Sequence, residues 1–209
     1  FYALWMAEHH FQREGYECIP NIILLSTHLA AQTKTLKFGC GFNIVPMWHP
    51  LRLAEDYATA DILTGGRMIF GVGRGYHSRE VETFGSPVID NDANRELFEE
   101  QIEVIFKAFN QESFSHKGNH YSIPAEVPYR GYDLKEITLV PRPQNIPVET
   151  WQPIVSGGSI EFTARKGFNG VVALTGDQLV DDIFHKFRDA CVENGRGGLL
   201  GENLALGLG

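Results

Sequence analysis

Four short runs hold the residues whose types and spacing could do chemistry: Glu8-His9-His10, Gly41-Phe42-Asn43, Gly73-Arg74-Gly75 and Ser156-Gly157-Gly158-Ser159. The tandem histidines invite a metal-site reading. Neighbours on an extended strand point to opposite faces, however, and the HExxH spacing is absent, so no metal is expected. An imidazole at a strand end suits a different task, because it titrates near neutrality and can move a proton or orient a substrate; the competing reading is a histidine bonded to the backbone. In Gly71-Val72-Gly73-Arg74-Gly75 the third glycine comes one residue early for a dinucleotide loop, and the next convincing helical pattern begins only at Asp92. Those glycines read as tight-turn residues, with Arg74 either an anion contact or a partner in an ion pair. The Ser-Gly-Gly-Ser run joins a strand to a helix, so its N–H groups stand where an anion is favoured; an ordinary N-cap at Ser159 is the alternative.

An alternation of strand-like runs and helical repeats must position these groups. Strands are expected at Phe1 to Ala7, Leu36 to Val45, Arg67 to Gly73, Pro153 to Ser156, Asn169 to Leu174 and Leu204 to Leu208. Pro20 and Asn21 open a helix with Ile22, Leu25 and Leu29 on one face. Pro50 opens another with Leu53, Tyr57 and Ala60 aligned, stopped by Gly65-Gly66. Between Asp92 and Asn110 a stripe of Phe98, Ile102, Ile105 and Phe109 marks the best-defined helix, and Ser159 to Lys166 and Gln178 to Glu193 supply two more, the last aligning Leu179, Ile183 and Phe187. The pattern predicts an α/β fold, a (β/α)8 barrel with a parallel sheet, over a single domain at 1–209. A closed barrel takes about 250 residues and eight strands, so one or both ends of the barrel are expected to lie outside this chain. The segment 111–152 breaks the rhythm and reads as an irregular insertion with a hairpin near His120 to Ile123, long enough for a lid or wall.

Charge and composition narrow the partner. A formal net charge of -8 with scattered Lys and Arg excludes the basic footprint of a nucleic-acid or anionic-membrane binder. No run of 18 apolar residues is present, and Phe1 to His10 carry Glu8, His9 and His10 where a signal peptide would be apolar. Cys18, Cys40 and Cys191 are odd in number and lack CxxC spacing, which argues against a disulfide framework. A cytoplasmic protein acting on a small molecule is expected.

Three runs in this order, Ala7-Glu8-His9-His10-Phe11, His49-Pro50-Leu51-Arg52-Leu53-Ala54-Glu55-Asp56 and Gly66-Arg67-Met68-Ile69-Phe70-Gly71-Val72-Gly73-Arg74-Gly75-Tyr76, resemble bacterial luciferase and its flavin monooxygenase relatives. Glu80 to Gly85, Phe109 to Ile123 and Ser156 to Ser159 resemble later segments of that family. The resemblance implies a flavin barrel in which reduced FMN and O2 form a flavin peroxide that oxidises an aldehyde, ketone or similar small molecule, with a separate reductase supplying the flavin. It implies a catalytic role for His9 with His10 beside it. It further implies cofactor binding by Gly41, Phe42, Asn43, Arg74, Gly157, Gly158, Ser159 and Gly176, and a homodimer formed through 21–33 and 50–64. Luciferase carries a reactive cysteine where this chain has Gly73, and its phosphate loop is not Gly-Gly-Ser, so light emission is not expected. The alternatives are a dehydrogenase of the same fold using the deazaflavin F420, and a non-catalytic flavin-binding partner subunit.

Overall fold

The computed structural model describes residues 1–13, 18–173 and 176–207. Two compact units emerge, Phe1–Val148 and Glu149–Gly209.

In the first unit, β1 (Ala3–Met6), β2 (Lys37–Cys40) and β4 (Met68–Gly73) form a parallel sheet, and β3 (Asn43–Ile44) pairs with the end of β4. Register places Trp5 opposite Gly39 and Met6 opposite Cys40, so the three C-terminal strand ends emerge along one edge. Glycine is what lets these strands approach: a Cβ on Gly71 would stand 1.5 Å from the Cys40 carbonyl oxygen. The expected strand 36–45 is thus two pieces, β2 and β3, followed by a short 3-10 turn at Val45–Met47.

Helix α1 (Ile22–Ala30) starts where Asn21 accepts a hydrogen bond from the Leu24 N–H. It buries Ile22, Ile23, Ser26 and Ala30, while Leu25 and Leu29 are half-buried. The buried face is therefore rotated from the expected Ile22, Leu25 and Leu29 stripe, because the small Ser26 and Ala30 allow the helix to lie close against the sheet. Helix α2 (Pro50–Leu63) buries Leu53, Tyr57 and Ala60, and Gly65 and Gly66, both at positive φ, end its turn. Helix α4 (Asn91–Asn110) begins at Asp90, whose carboxylate accepts from the Asp92 and Ala93 N–H groups. Its Phe98, Ile102, Ile105 and Phe109 are buried as the stripe predicts. Phe109 meets Tyr57 and Phe70 with ring centroids at 5.5 and 5.6 Å, tying both helices to β4. Each such ring contributes about 1.5–3 kcal/mol through burial. A further helix, α3 (Ser78–Val81), lies in a stretch with no sequence signal for one.

The segment after α4 forms two hairpins, β5–β6 (His116–Lys117 with Ser122–Ile123) and β7–β8 (Pro128–Tyr129 with Tyr132–Asp133). The first is pinned to α4: the Glu100 carboxylate accepts from the N–H groups of Asn119, His120 and Tyr121 and from the His116 ring. Burial raises the Glu100 carboxyl, but those four donors outweigh it and hold it below the ordinary carboxylate range.

The second unit is a parallel three-stranded sheet of β9 (Thr150–Pro153), β10 (Asn169–Ala173) and β11 (Leu204–Gly207), covered by α5 (Gly157–Lys166) and α6 (Asp177–Glu193). Ile154, Ile160, Val172, Ile183 and Phe187 form its core. Strand β9 lies three residues earlier than the expected Pro153 to Ser156, where the turn into α5 stands instead. On α6 Ile183 and Phe187 are buried, but Leu179 is 45% exposed, since it belongs to the first turn, above the core. Leu174 and Leu208, placed at strand ends by the sequence pattern, lie outside the described residues.

Candidate functional site

Two buried carboxylates organise the histidine pair in the first unit. Beyond β1, at Glu8, His9 and His10, the chain forms no regular element, and the two imidazoles go to different partners. His9 Nδ1 lies 3.2 Å from Glu80 Oε1. The His10 backbone N–H and the Gln12 amide donate to the same oxygen at 3.1 and 2.7 Å. Glu80 reaches this position because Gly75, at φ +78°, turns the chain after β4 into α3; a Cβ there would meet Ile44 and Val81 at 2.7 Å. Burial pushes the Glu80 carboxyl up, yet the bonds from Gln12, His10 and His9 prevail and lower it. A carboxylate that accepts at Nδ1 fixes the His9 tautomer with its proton on Nδ1 and leaves a lone pair on Nε2. The ring packs edge-on to His77 at 5.4 Å and to Tyr76 at 6.3 Å, and its side chain is 14% exposed.

His10 faces the other way. Its Nε2 donates to Glu8 Oε1 at 3.0 Å, and its ring stands against Phe84 at 4.9 Å and Phe11 at 5.6 Å. Phe11 and Phe84 are half exposed, an apolar wall next to His10.

The Gly41–Phe42 bond is a cis peptide. The Phe42 side chain lies over β4, within 3.1 Å of where a Cβ on Gly71 would stand and 3.3 Å from one on Gly73. Asn43 is buried and its amide donates to the Gly71 carbonyl at 2.9 Å, so its side chain braces β3 against β4 and is not open to a ligand. Arg74 donates to the backbone and side-chain oxygens of Asn91. Burial lowers its pKa and the neighbouring charge of Arg95 lowers it further, with Glu99 opposing. An anion beside the two arginines would relieve that repulsion. Cys40 is fully buried and its thiol is pushed up to about 12, by burial first, against a lowering bond from Asn43 and with the Glu8 charge adding. It is no nucleophile.

In the second unit, α5 starts with a capping box. Ser156 Oγ accepts from the Ser159 N–H, and the Ser159 hydroxyl is bonded to the Ser156 backbone. Both hydroxyls are therefore engaged within the turn. The N–H groups of Gly157 and Gly158 occupy the first helical positions, which have no intrahelical acceptor, and open space surrounds the site of a Cβ on each. Gly176 is the residue just before α6, the place that Ser156 holds before α5, exposed and with open space around it. Strands β9 and β10 are parallel neighbours, so both helix starts follow strand ends at the same sheet edge.

Sequence reading pointed to His9 and His10 but not to Glu8 as a hub or to Glu80. Glu80 lies seventy-one positions from His9, with no periodicity to mark it; only the ionisable type of the residue in a run of resemblance hinted at it.

Residues 1–199 match the family model of the luciferase-like monooxygenases. The chain belongs to that family, and its fold is the α/β barrel type of those proteins. It is 30% identical over 193 residues to the oxygenase component of flavin-dependent trigonelline monooxygenase of Acinetobacter baylyi, across 91% of this chain and 49% of the relative. Among solved structures it resembles the oxygenating constituent of 3,6-diketocamphane monooxygenase of Pseudomonas putida in complex with FMN, with TM-score 0.78, 22% identity and coverage of 98% of this chain and 56% of that one. It also resembles an F420-dependent secondary alcohol dehydrogenase in complex with an F420-acetone adduct, with TM-score 0.80, 15% identity and coverage of 99% and 59%. The chain spans about a third to a half of the length of the curated relatives it matches. No helix among the described residues is long and apolar enough to cross a membrane.

Proposed function

We propose that this chain carries the flavin side of a two-component monooxygenase that uses reduced FMN and O2 to oxidise a small organic substrate. The observation that carries the reading is the His9–Glu80 pair: a tautomer fixed by a buried carboxylate, just beyond a strand end, with the ring packed against Tyr76 and His77. Within each unit some residues suit a part of FMN. In the second, the open N–H groups of Gly157 and Gly158, with Ser159 shaping that turn and Gly176 at a second helix start, would suit a phosphate. In the first, the strand end made by Gly41 and Phe42, with Asn43 bracing that segment, would suit a flavin ring, and Arg74 would suit an anionic group. Reduced FMN, when bound, supplies the electrons that activate O2 for transfer of one oxygen atom. His9 Nε2 would accept or return a proton during that transfer, and Glu80 would stabilise the imidazolium. His10, whose ring is bonded to Glu8, would position rather than transfer. Phe11 and Phe84 would keep water from the His10 ring.

The reading includes a flavin reductase as the source of reduced FMN, a homodimer through α1 and α2, whose Leu24, Ile62 and Leu63 are exposed, and a cytoplasmic setting that suits the free thiol of Cys18. An F420-dependent dehydrogenase is the second reading, favoured by the likeness to the alcohol dehydrogenase fold; there His9 would accept a substrate proton while hydride leaves. Anaerobic titration with reduced FMN and with F420, followed by admission of O2, separates them. FMN binding with flavin reoxidation slower than free flavin, and altered by His9→Ala, supports the monooxygenase. Preferential F420 binding with no reaction toward O2 moves the assignment to the dehydrogenase, and binding of neither refutes both.

A further inference from the structure

Glu8 is 2% exposed and accepts from donors on three separate stretches of chain. Its Oε2 takes the Ile44 backbone N–H at 2.7 Å; its Oε1 takes Trp48 Nε1 and His10 Nε2, each at 3.0 Å. We propose that Glu8 is a positioning residue that locks the Phe42 segment and the His10 ring in register with His9, a role that rests on the flavin reading above. The backbone N–H of Ile44, two residues after Phe42, and the indole N–H of Trp48 can only donate. They address different oxygens of one side chain, so an amide at position 8 fails in either orientation: its NH2 meets Ile44 or it meets Trp48. Only a carboxylate serves both. His10 alone can adapt, by moving its ring proton from Nε2 to Nδ1. Trp48 is itself held, because its carbonyl accepts from Gln101 Nε2 at 2.9 Å, and that same nitrogen reaches Tyr121 Oη at 2.9 Å. The strand end, the turn after Phe42 and the indole are therefore one unit, with Glu8 at its centre.

The logic predicts a rescue. In E8Q one buried donor is left unpaired, and affinity for reduced FMN should fall about ten-fold, a free-energy change of about 1.4 kcal/mol. W48F alone, which still leaves Glu8 with Ile44 and His10, should change affinity by no more than about three-fold. In E8Q/W48F the carbonyl of the introduced amide accepts from Ile44 and its NH2 faces His10 Nε2, so affinity should return to within about three-fold of wild type instead of worsening. Nitrogen-15 NMR of the His10 ring gives a readout that a merely space-filling role would not move: Nε2–H in the wild type, Nδ1–H in the double variant. A double variant no tighter than E8Q, or a His10 tautomer that does not change, overturns the proposal. Should E8Q fail to fold, the double variant still decides, since a folded double variant with the switched tautomer supports the lock and an unfolded one sinks it. Were wild type to bind no flavin, the flavin reading would fall, while the tautomer result would still judge Glu8.

Discussion

Replacing Glu80 separates what its charge does from what its shape does. Three donors converge on Glu80 Oε1: the Gln12 amide, the His10 backbone N–H and His9 Nδ1. In Glu80→Gln the amide oxygen can occupy that position and keep all three, losing the negative charge and the longer 3.5 Å contact of His9 Nδ1 with Oε2. A hydrogen bond to a charged group contributes about 1.5–3 kcal/mol against about 0.5–1.5 for a neutral pair, so the charge behind His9 contributes about 1–1.5 kcal/mol. Felt as stabilisation of a protonated His9, that is roughly a five- to ten-fold loss in the single-turnover rate of substrate oxidation. Glu80→Ala leaves the buried His10 N–H without an acceptor and should lose about 1–3 kcal/mol of stability in a urea titration. The pH dependence has a definite sign. The Glu80 pKa is lowered in the folded protein, so its contribution to stability is fully present above the ordinary carboxylate value and disappears as pH falls through the lower folded value. The stability gap between wild type and Glu80→Gln should close over that acidic window. Equal stability loss in the Gln and Ala variants, or an unchanged turnover rate in Glu80→Gln, would refute the assignment.

Other consequences are equally direct. Of the three thiols, Cys18 is exposed, while burial raises Cys40 to about 12 and raises Cys191; a disulfide reagent at mildly alkaline pH should titrate one fast thiol in the native protein and three after denaturation. Glu100→Ala removes the acceptor shared by Asn119, His120, Tyr121 and His116, so amide exchange at 119–121 should rise at least about ten-fold, one lost local bond network's worth, with α4 still protected. Gly71→Ala puts a methyl group 1.5 Å from the Cys40 carbonyl oxygen; with backbone on both sides unable to yield, the cost should exceed the about 1–3 kcal/mol of ordinary overpacking and show as loss of soluble, folded protein.

Alternation of strand-like runs and helical patterns made the principal strands other than β9, and the long helices, legible, because burial on a sheet or against one imposes those periods directly. Where the sequence misled, a small residue intervened. Ser26 and Ala30 drew α1 onto the sheet in place of Leu25 and Leu29, and the stretch 154–156, read as the rest of a strand, became a capped turn because Ser156 and Ser159 satisfy the helix start between them. The site was legible only in part. His9, Arg74 and the glycines of α5 stand beyond strand ends and at helix starts that any parallel barrel provides, so type and position sufficed to propose them. Glu8 and Glu80 derive their importance from what reaches them across 2 to 71 positions, a pairing that local pattern does not encode.

On the proposed flavin reading, the same difference would make the His-His pair two residues with two tasks. The two neighbouring rings go to separate buried carboxylates, His9 to Glu80 and His10 to Glu8. The nitrogen engaged decides the role. Glu80 takes Nδ1 of His9, which leaves Nε2, the outer nitrogen of the ring, with its lone pair for a proton; Glu8 takes Nε2 of His10 itself, occupying the atom that would otherwise reach a substrate. The His10 backbone N–H, meanwhile, donates to Glu80 and so sets the carboxylate that orients His9. On this geometry His9→Asn and His10→Asn should differ in kind. His9→Asn should depress the rate constant for oxygen transfer while leaving FMN affinity near wild type; His10→Asn, which frees Glu8 from one of its three partners, should act chiefly on affinity. Stopped-flow single turnovers over a range of FMN concentrations separate the two effects, and a pair of variants with the same profile would show that the carboxylates do not divide the labour.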